Sequence, residues 1–294
     1  NSYFTFRGYI NADDVDKELR SGNVNAVIVF ASDYDRRVAQ ASQGVPVAPI
    51  IQLIVDASNV NTAGAATAYM QNILSGAESR QAMFETRMLF NPQMKSAYNF
   101  VPGIMGLIFI LVCAMMTSVS IVREKESGTM EVLLVSPVRP IKIIFAKMIP
   151  YFIISCIVLV TILLLARYLL GVPMTGGVAG IFSLSLLYLM LSLSLGLLVS
   201  TITDTQMAAL LISAMVMMMP ILMLSGMLFP IENLPVFFQA LSNIVPARWY
   251  IDAVRKMMIQ GEPITAVWQN CVILLVMTIT ILGISLKKFN DKLE

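Results

Sequence analysis

The polar residues best suited to do chemistry are concentrated in one short segment, VREKESGTMEVLLVSPVRP at residues 122–140. It lies between two apolar runs and carries charges of both signs. Three apolar residues, Met130, Leu133 and Leu134, recur at helical spacing on one side. The glutamates of the segment can point elsewhere. Because Pro137 and Pro140 cannot continue a helix, the pattern predicts a short amphipathic helix with a rigid exit. Such a helix suits docking into a groove on another protein, and the alternative is a solvated charged loop that only orients the chain.

The rest of the sequence offers little catalytic chemistry. It contains no histidine, which removes the usual general base, proton shuttle and imidazole metal ligand. The three cysteines, Cys113, Cys156 and Cys271, lie inside apolar runs and are typical of small buried hydrophobic residues. The sequence has no Gly-x-x-x-x-Gly-Lys-Ser/Thr phosphate loop, so we expect no ATP hydrolysis, cofactor or metal on this chain. A net charge of +2 gives no general case for binding nucleic acid.

Composition indicates that a lipid bilayer surrounds most of the chain. Of 294 residues, 57% are hydrophobic and 13% are charged, where soluble domains have about 25% charged residues, and the mean hydropathy is +0.77. Long uncharged stretches follow Lys95, and crossing a bilayer takes about 20 apolar residues. We predict a mainly α-helical, polytopic membrane bundle in residues 96–294. The five predicted spans are residues 100–121, 146–169, 178–200, 206–228 and 264–286.

Residues 1–95 have the character of an ordinary water-soluble protein. Strand patterns occur at SYFTFRGYI, NAVIVF and APIIQLIVD, and helix patterns at NADDVDKELRSGN and NTAGAATAYMQNILSG. Because strands that alternate with helices favour a layered α/β arrangement, this part of the chain is predicted to be a small α/β domain.

Basic residues predict the side of the membrane on which each loop lies. Eight lysines and arginines occur in the loop at 122–147 and in the tail after residue 286, against four on the opposite side. We therefore expect the loop and the tail to be cytoplasmic. An odd number of spans then places residues 1–95 outside the cytoplasm. Because export of that domain needs a signal or an upstream anchor, we expect a preceding membrane helix and six spans in the native protein.

The segment at 229–261, between the last two spans, contains FPIENLP. Its prolines predict a short helix, a turn and a second short helix that re-enters the membrane as an outer gate, with Glu232 and Arg248 as partners across the bend. Non-helical backbone at that depth is tolerated only where protein buries it or a cavity adjoins it. The alternative is an exposed hairpin whose aromatic residues anchor it at the interface: Phe237, Phe238, Trp249 and Tyr250. The candidate gate residues are Phe229, Pro230, Glu232, Pro235, Pro246 and Arg248.

The fourth predicted span is rich in methionine, with AMVMMMPILMLSGM at 214–227. Flexible thioethers suit an apolar pathway for varied cargo, and Met215, Met219 and Met223 are the candidates for it. Contact with lipid or with neighbouring helices is the commoner role of such residues. In the turn before this span, Asp204 is expected to cap the helix that follows.

Two segments resemble a known family. REKESGTMEVLLVSPVRP is similar to a motif of permease subunits of type-2 ATP-binding-cassette exporters, and so is SGMLFPIENLPVFFQALSNIVPARWYIDAVRKMMIQG at 225–261. The polar domain also resembles the family, less specifically, through LRSGNVNAVIVF and NTAGAATAYMQNIL. The resemblance covers nearly the whole chain. It departs from the family pattern at the N-terminus, where the family normally has a membrane helix before the outer domain.

The resemblance implies a permease half in the bacterial cytoplasmic (inner) membrane, in contact with lipid and paired with a second copy or a sister permease. Two cytoplasmic ATPase subunits, which hold ATP and Mg, would bind beneath, and a periplasmic adaptor is a further candidate partner. Segment 122–142 would be the coupling element. The coupling residues so implied are Arg123, Glu124, Glu126, Gly128, Thr129, Glu131, Pro137 and Arg139.

Two other classes of function remain open from the residues. A membrane sensor or scaffold, whose extracytoplasmic domain binds a ligand, would need a cytoplasmic output domain on the same chain, whereas the last predicted span is followed by KKFNDKLE. A proton-coupled carrier would need carboxylates in mid-span, and none of the five predicted spans has one. The apolar, methionine-rich interior favours hydrophobic or amphipathic cargo for the exporter, although contact with lipid explains it equally well.

Overall fold

The computed structural model describes residues 5–22, 24–43, 45, 47–75, 84–129 and 140–291. The chain divides into two compact units, Asn1–Asn99 and Phe100–Glu294. The first contains a small three-stranded sheet with helices, and the second is helical. The predicted fold class, a mainly helical membrane protein with a small α/β domain, is confirmed.

The central strand of the first unit is buried on both faces. The elements of this unit are α1 (Val15–Ser21), β1 (Ala26–Phe30), α2 (Tyr34–Ser42), β2 (Ile51–Asp56), α3 (Val60–Ser75) and β3 (Phe84–Leu89). Strand β2 pairs antiparallel with β1 and parallel with β3. Since side chains alternate along a strand, Leu53 and Val55 pack towards Met70 of α3, while Ile54 packs towards Leu19 of α1. The apolar run IIQLIVD therefore forms a central strand rather than a half-exposed one.

Sequence patterns misjudged three elements of this unit. SYFTFRGYI was predicted to be a strand, but its described residues, from position 5 on, form no strand. Gly8 has a φ of 138°, which interrupts the extended backbone, and Tyr9 is 97% exposed. The alternating apolar side chains of the described part of this segment therefore do not pack as those of a strand would. Helix α2 and strand β3 were not predicted. The period-2 pattern of β3, FETRML, was the available signal for it.

Five described helices of the second unit are long and apolar enough to cross a membrane. The helices are α4 (Ser96–Glu126), α5 (Pro140–Leu164), α6 (Val178–Ile202), α7 (Gln206–Leu224), α8 (Val236–Ser242), α9 (Pro246–Arg255) and α10 (Trp268–Asp291). Helix α5 continues into a π-helical turn at Leu165–Leu169, and α9 into another at Lys256–Gln260. The candidate spans are Ser96–Glu126, Ile144–Leu169, Val178–Ile202, Gln206–Leu224 and Trp268–Lys288.

Helix α6 is the centre of the bundle. In its most apolar window 67% of the residues are buried, against 22% in α5, α7 and α10. Gly196 lets α6 approach α4 closely, because a Cβ at this position would lie 2.7 Å from the carbonyl oxygen of Ala114. Buried serines on α6 are satisfied within the helix: the Ser192 hydroxyl, for example, donates to the Tyr188 carbonyl at 2.8 Å. A polar helix centre can therefore be buried without unpaired hydroxyls at these serines.

The turn between α6 and α7 differs from the expected one in its capping residue. Asp204 was predicted to cap α7, but the N-cap is Thr205, whose hydroxyl accepts from the backbone N–H of Ala208 at 3.3 Å. The helix begins at Gln206, so the residue immediately before it takes the capping position. The prediction was wrong by one residue.

Candidate functional site

Helix α4 runs beyond its apolar stretch and ends in a closed cap. Gly128 follows it with a φ of 72°, a left-handed backbone that glycine adopts without steric cost. The N–H of Gly128 donates to the carbonyl of Lys125 at 3.2 Å. The hydroxyls of Ser127 and Thr129 both reach the carbonyl of Glu124, at 3.4 and 3.3 Å. The sequence ESGT thus satisfies carbonyls that a helix C-terminus leaves free.

Glu124, in the last turn of α4, joins α4 to α5. Its Oε1 atom accepts a charge-assisted hydrogen bond from the ammonium of Lys147. Both side chains are largely covered, with 21% of Glu124 and 26% of Lys147 exposed. The other carboxylate oxygen of Glu124 is buried and has no hydrogen-bond partner among the described residues. The pair is therefore desolvated but only half satisfied on the carboxylate side.

Lys125 joins α4 to the end of α6. Its ammonium donates to the carbonyl of Ser200 and, at 3.4 Å, to the carbonyl of Thr203. These carbonyls lie at the C-terminus of α6, where the helix dipole is negative and the last acceptors have no partner within the helix. A lysine is thus well matched to this position.

Glu126 joins α4 to the start of α7. Its Oε2 atom accepts from the backbone N–H of Gln206 at 3.1 Å and from the Gln206 side-chain amide at 2.8 Å. Gln206 is the first residue of α7, and a negative charge is favoured at a helix N-terminus. Glu124, Lys125 and Glu126 together are called the helix-end clamp below.

The implied coupling residues fall into four groups. Glu124 and Glu126 contact other helices of the same chain, Gly128 and Thr129 belong to the cap, and Arg123 is exposed. Glu131, Pro137 and Arg139, with the predicted amphipathic helix, lie outside the described residues. Sequence reasoning did not select three residues that complete the contacts: Lys125, Lys147 and Gln206. A charge as close to an apolar span as Lys147 needs a partner, which was the available signal.

Segment 229–261 contains two short helices joined by a turn. A 3-10 turn at Ile231–Asn233 precedes α8 (Val236–Ser242). Pro235 stands immediately before α8, and Pro246 is the first residue of α9, a position where the missing N–H of proline costs no hydrogen bond. Of the other candidate gate residues, Phe229 is 49% exposed, and Pro230 adjoins the 3-10 turn. The side chain of Glu232 lies outside those the structure describes.

Arg248, another candidate gate residue, ties α9 to the end of α8. Its Nη1 donates to the hydroxyl of Ser242 at 2.5 Å and to the side-chain carbonyl of Asn243 at 2.7 Å. Its guanidinium lies 5.2 Å from the ring centre of Trp249, and the Trp249 indole N–H donates to the Asn243 carbonyl at 3.0 Å. These contacts link the end of α8 to α9 across the bend. A Glu232–Arg248 pair remains a prediction.

Helix α9 is buried through a cluster of aromatic and hydroxyl groups. The Tyr250 ring stacks on Tyr188 of α6, with ring centres 4.1 Å apart, and meets Phe109 of α4 edge-on. The Tyr250 hydroxyl is 2.8 Å from that of Ser185, and the Tyr188 hydroxyl donates to the Gly106 carbonyl at 3.0 Å. Tyr250 is fully buried, so its interpretation as an interfacial anchor was wrong. It lies on the face of α9 that packs into the bundle.

Helix α8, in contrast to α9, has an exposed apolar surface. Its apolar side chains are exposed: 81% of Val236, 71% of Phe237 and 43% of Phe238. The two phenyl rings contact each other edge-on at 5.5 Å. The segment thus combines a helix packed into the bundle with an exposed apolar helix, and its role as an outer gate stays a prediction.

The candidate pathway methionines share one outward face of α7. Met215, Met219 and Met223 follow each other at four-residue spacing and are 68%, 65% and 47% exposed. Within this single chain they cover the outer surface of the bundle.

Among the described residues, no three or more Cys, Asp or Glu side chains are close enough together to hold a metal ion.

Comparison with known proteins decides the family. The family described as ABC-2 family transporter protein matches residues 1–287. The chain belongs to this family. The resemblance to permease subunits of type-2 ATP-binding-cassette transporters is thereby confirmed, and family membership implies a partnering ATPase subunit.

Several curated ABC permeases are similar over most of this ABC-2 family chain. The probable multidrug ABC transporter permease YbhS of Escherichia coli K12 is 28% identical over 97% of this chain and 77% of its own. The probable multidrug ABC transporter permease YbhR of the same strain is 29% identical, over 86% and 70%. The inner membrane transport permease YhhJ, also from that strain, is 28% identical, over 95% and 76%. No solved structure is significantly similar. The family match and these curated relatives together show that this chain is a transmembrane permease of an ABC transporter.

Proposed function

We propose that the chain is the membrane-spanning half of an ATP-driven exporter. It moves a hydrophobic or amphipathic substrate outward across the bacterial cytoplasmic membrane. A separate cytoplasmic subunit binds ATP and Mg and performs the hydrolysis, and a second copy or a sister permease completes the pathway. Residues 1–95 lie on the outer side.

The observation that carries this proposal is the continuity of α4. The helix extends as one piece from its apolar stretch to Glu126, and the cap at Ser127–Thr129 closes it within segment 122–142, which is expected to meet the ATPase. A helix held in this way moves as a rigid body when its end is displaced. The contacts of its last turn also show that the ends of α6 and α7 lie beside it, so a push at this place acts on several helices.

The outer part of the bundle suits a gate. Helix α9 is buried against α4 and α6, and Arg248 fixes the bend between α9 and α8. Burial of α9 in the bundle, with the Tyr250 hydroxyl hydrogen-bonded to that of Ser185, favours a segment that enters the membrane over an exposed one. Movements of α4 would therefore reach the gate directly. The exposed methionine face of α7 supports an apolar pathway at the boundary with the second permease.

The direct test is reconstitution of the full chain with its partner ATPase in lipid vesicles, with a hydrophobic fluorescent dye as the probe. We expect the two proteins to purify together and the dye to move only with hydrolysable ATP. A variant with residues 124–139 scrambled should lose transport, whereas Lys288→Gln, an exposed lysine at the end of α10, should keep it. Normal transport by the scrambled variant, or no association with an ATPase, would reject the proposal.

A further inference from the structure

Three consecutive charged residues at the end of α4 each hold a different membrane helix. We propose that this helix-end clamp, Glu124, Lys125 and Glu126, distributes the movement of the ATPase to α5, α6 and α7 together, and that its loss uncouples ATP hydrolysis from transport. The inference rests on the proposed function and deepens it. It makes the three residues positioning residues within the permease rather than docking contacts for the ATPase.

Helix geometry explains how neighbours in sequence reach three helices. Successive side chains of an α-helix point about 100° apart, so three in a row cover more than half of its circumference. Glu124 meets Lys147 of α5, Lys125 meets the α6 carbonyls, and Glu126 meets Gln206 of α7. One turn of α4 therefore touches three other helices at the same end of the bundle.

The sign of each charge matches the group that it holds. Lys125 faces carbonyl oxygens at the C-terminus of α6, and Glu126 faces an N–H at the N-terminus of α7. Both positions favour those charges through the helix dipole as well as through the hydrogen bonds. Only residues 203–205 separate α6 from α7. Lys125 and Glu126 thus contact the two helix ends on either side of this short turn. A movement of α4 would therefore displace α6 and α7 together.

The contact with α5 differs because it joins two charged side chains. Glu124 and Lys147 are mostly covered, and their charged atoms face each other. The Lys147 ammonium and one oxygen of Glu124 thus meet inside the chain, which favours a contact between helices over docking of a second protein at this pair. The exposed Arg123 and the cap residue Thr129 remain on the surface beside the clamp, where docking can take place. The clamp and the docking surface are therefore separable by mutation.

The experiment measures the ratio of transported dye to hydrolysed ATP in vesicles that contain the whole permease–ATPase complex. Lys125→Met keeps the length of the side chain and removes its charge. We expect this variant to purify with the ATPase and to hydrolyse ATP within about twofold of the wild type, while the ratio falls about tenfold, because charge-assisted hydrogen bonds are among the stronger ones. Lys288→Met is the matched control, since Lys288 is exposed at the end of α10, and its ratio should not change.

A charge exchange tests the link to α5 independently of Lys125. Glu124→Lys alone should lower the ratio, and the double variant Glu124→Lys with Lys147→Glu should restore it to within about twofold, because the pair is re-formed with its signs reversed. A merely structural role predicts lower yield without rescue of the ratio. Loss of ATPase binding in Lys125→Met, an unchanged ratio, or failure of the exchange would overturn the inference. Failure of the wild-type complex to transport would instead reject the proposed function.

Discussion

Gly128 determines how α4 ends. Its φ of 72° lies in the left-handed region, and no atom of the described residues, apart from its immediate neighbours, lies within 4 Å of the place where a Cβ would stand. A larger side chain would therefore fit sterically at this position, but the backbone angle favours glycine. A residue with a Cβ adopts this angle at a cost of about 1–2 kcal/mol, and asparagine tolerates it better than most. The cap that directs the chain from α4 into the coupling segment thus depends on one dihedral angle.

We predict that Gly128→Ala destabilises the second unit by about 1 kcal/mol and that Gly128→Asn does so by less. Alanine is the better helix former of the two, so helix propensity alone predicts the opposite order. Thermal unfolding of the purified protein in detergent measures the difference. Equal or reversed stability of the two variants would show that the left-handed cap does not form.

At the scale of elements, the approach of α4 to α6 depends on Gly196. A Cβ there would lie 2.7 Å from the carbonyl oxygen of Ala114 and 2.8 Å from the Cβ of Thr117, both closer than such atoms approach. Because backbone atoms of α4 form part of this contact, a side-chain rotation cannot relieve it. The two helices must separate to admit one methyl group.

The corresponding prediction is that Gly196→Ala lowers the free energy of unfolding by about 1–3 kcal/mol, the usual cost of overpacking. Gly283→Ala in α10 is the control, because no atom in the described part of the chain lies within 4 Å of a Cβ at that position. We expect it to be neutral or slightly stabilising. Similar losses in both variants would contradict the close packing of α4 on α6.

The buried position of α9 gives a second prediction for an element. Tyr250→Ala removes a fully buried ring that stacks on Tyr188, and we expect a cost of about 3–5 kcal/mol. Phe237→Ala removes a ring of α8 that is 71% exposed, and it should cost less than about 0.5 kcal/mol in detergent. Chemical denaturation compares the two. A similar small effect of both would favour an exposed hairpin.

Sequence patterns predicted those elements whose signal is local. The long spans could be predicted from uncharged stretches, because a membrane-spanning helix tolerates few charges wherever they stand in it. The direction of Tyr250 could not be derived, since neighbours such as Trp249 and Tyr250 point about 100° apart, and only the packing of α9 decides which of them is buried. The clamp was also hidden. The acceptors of Lys125 are main-chain carbonyls at 200 and 203, and no side-chain type at those positions marks them as acceptors.

At the scale of the whole molecule, the distribution of buried surface is uneven. In helix α6 67% of the most apolar window is buried, while in α5, α7 and α10 only 22% is buried within the single chain. Apolar surface of this extent is stable only against lipid or another protein. The second unit therefore needs lipid or another protein against these helices. The proposed arrangement supplies both, with a bilayer and a second permease around the bundle and the ATPase at the end that carries the clamp.

The most direct test of the account is the side of the membrane on which the end of α4 lies. In a variant without Cys113, Cys156 and Cys271, single cysteines replace Thr129 in the cap or Ser32 in the first unit, both exposed positions. Intact cells are then treated with a membrane-impermeant maleimide. We predict that Ser32→Cys is labelled from outside and that Thr129→Cys is labelled only after the membrane is opened. Labelling of both from outside would contradict the account, because a cytoplasmic ATPase could not then act on the end of α4.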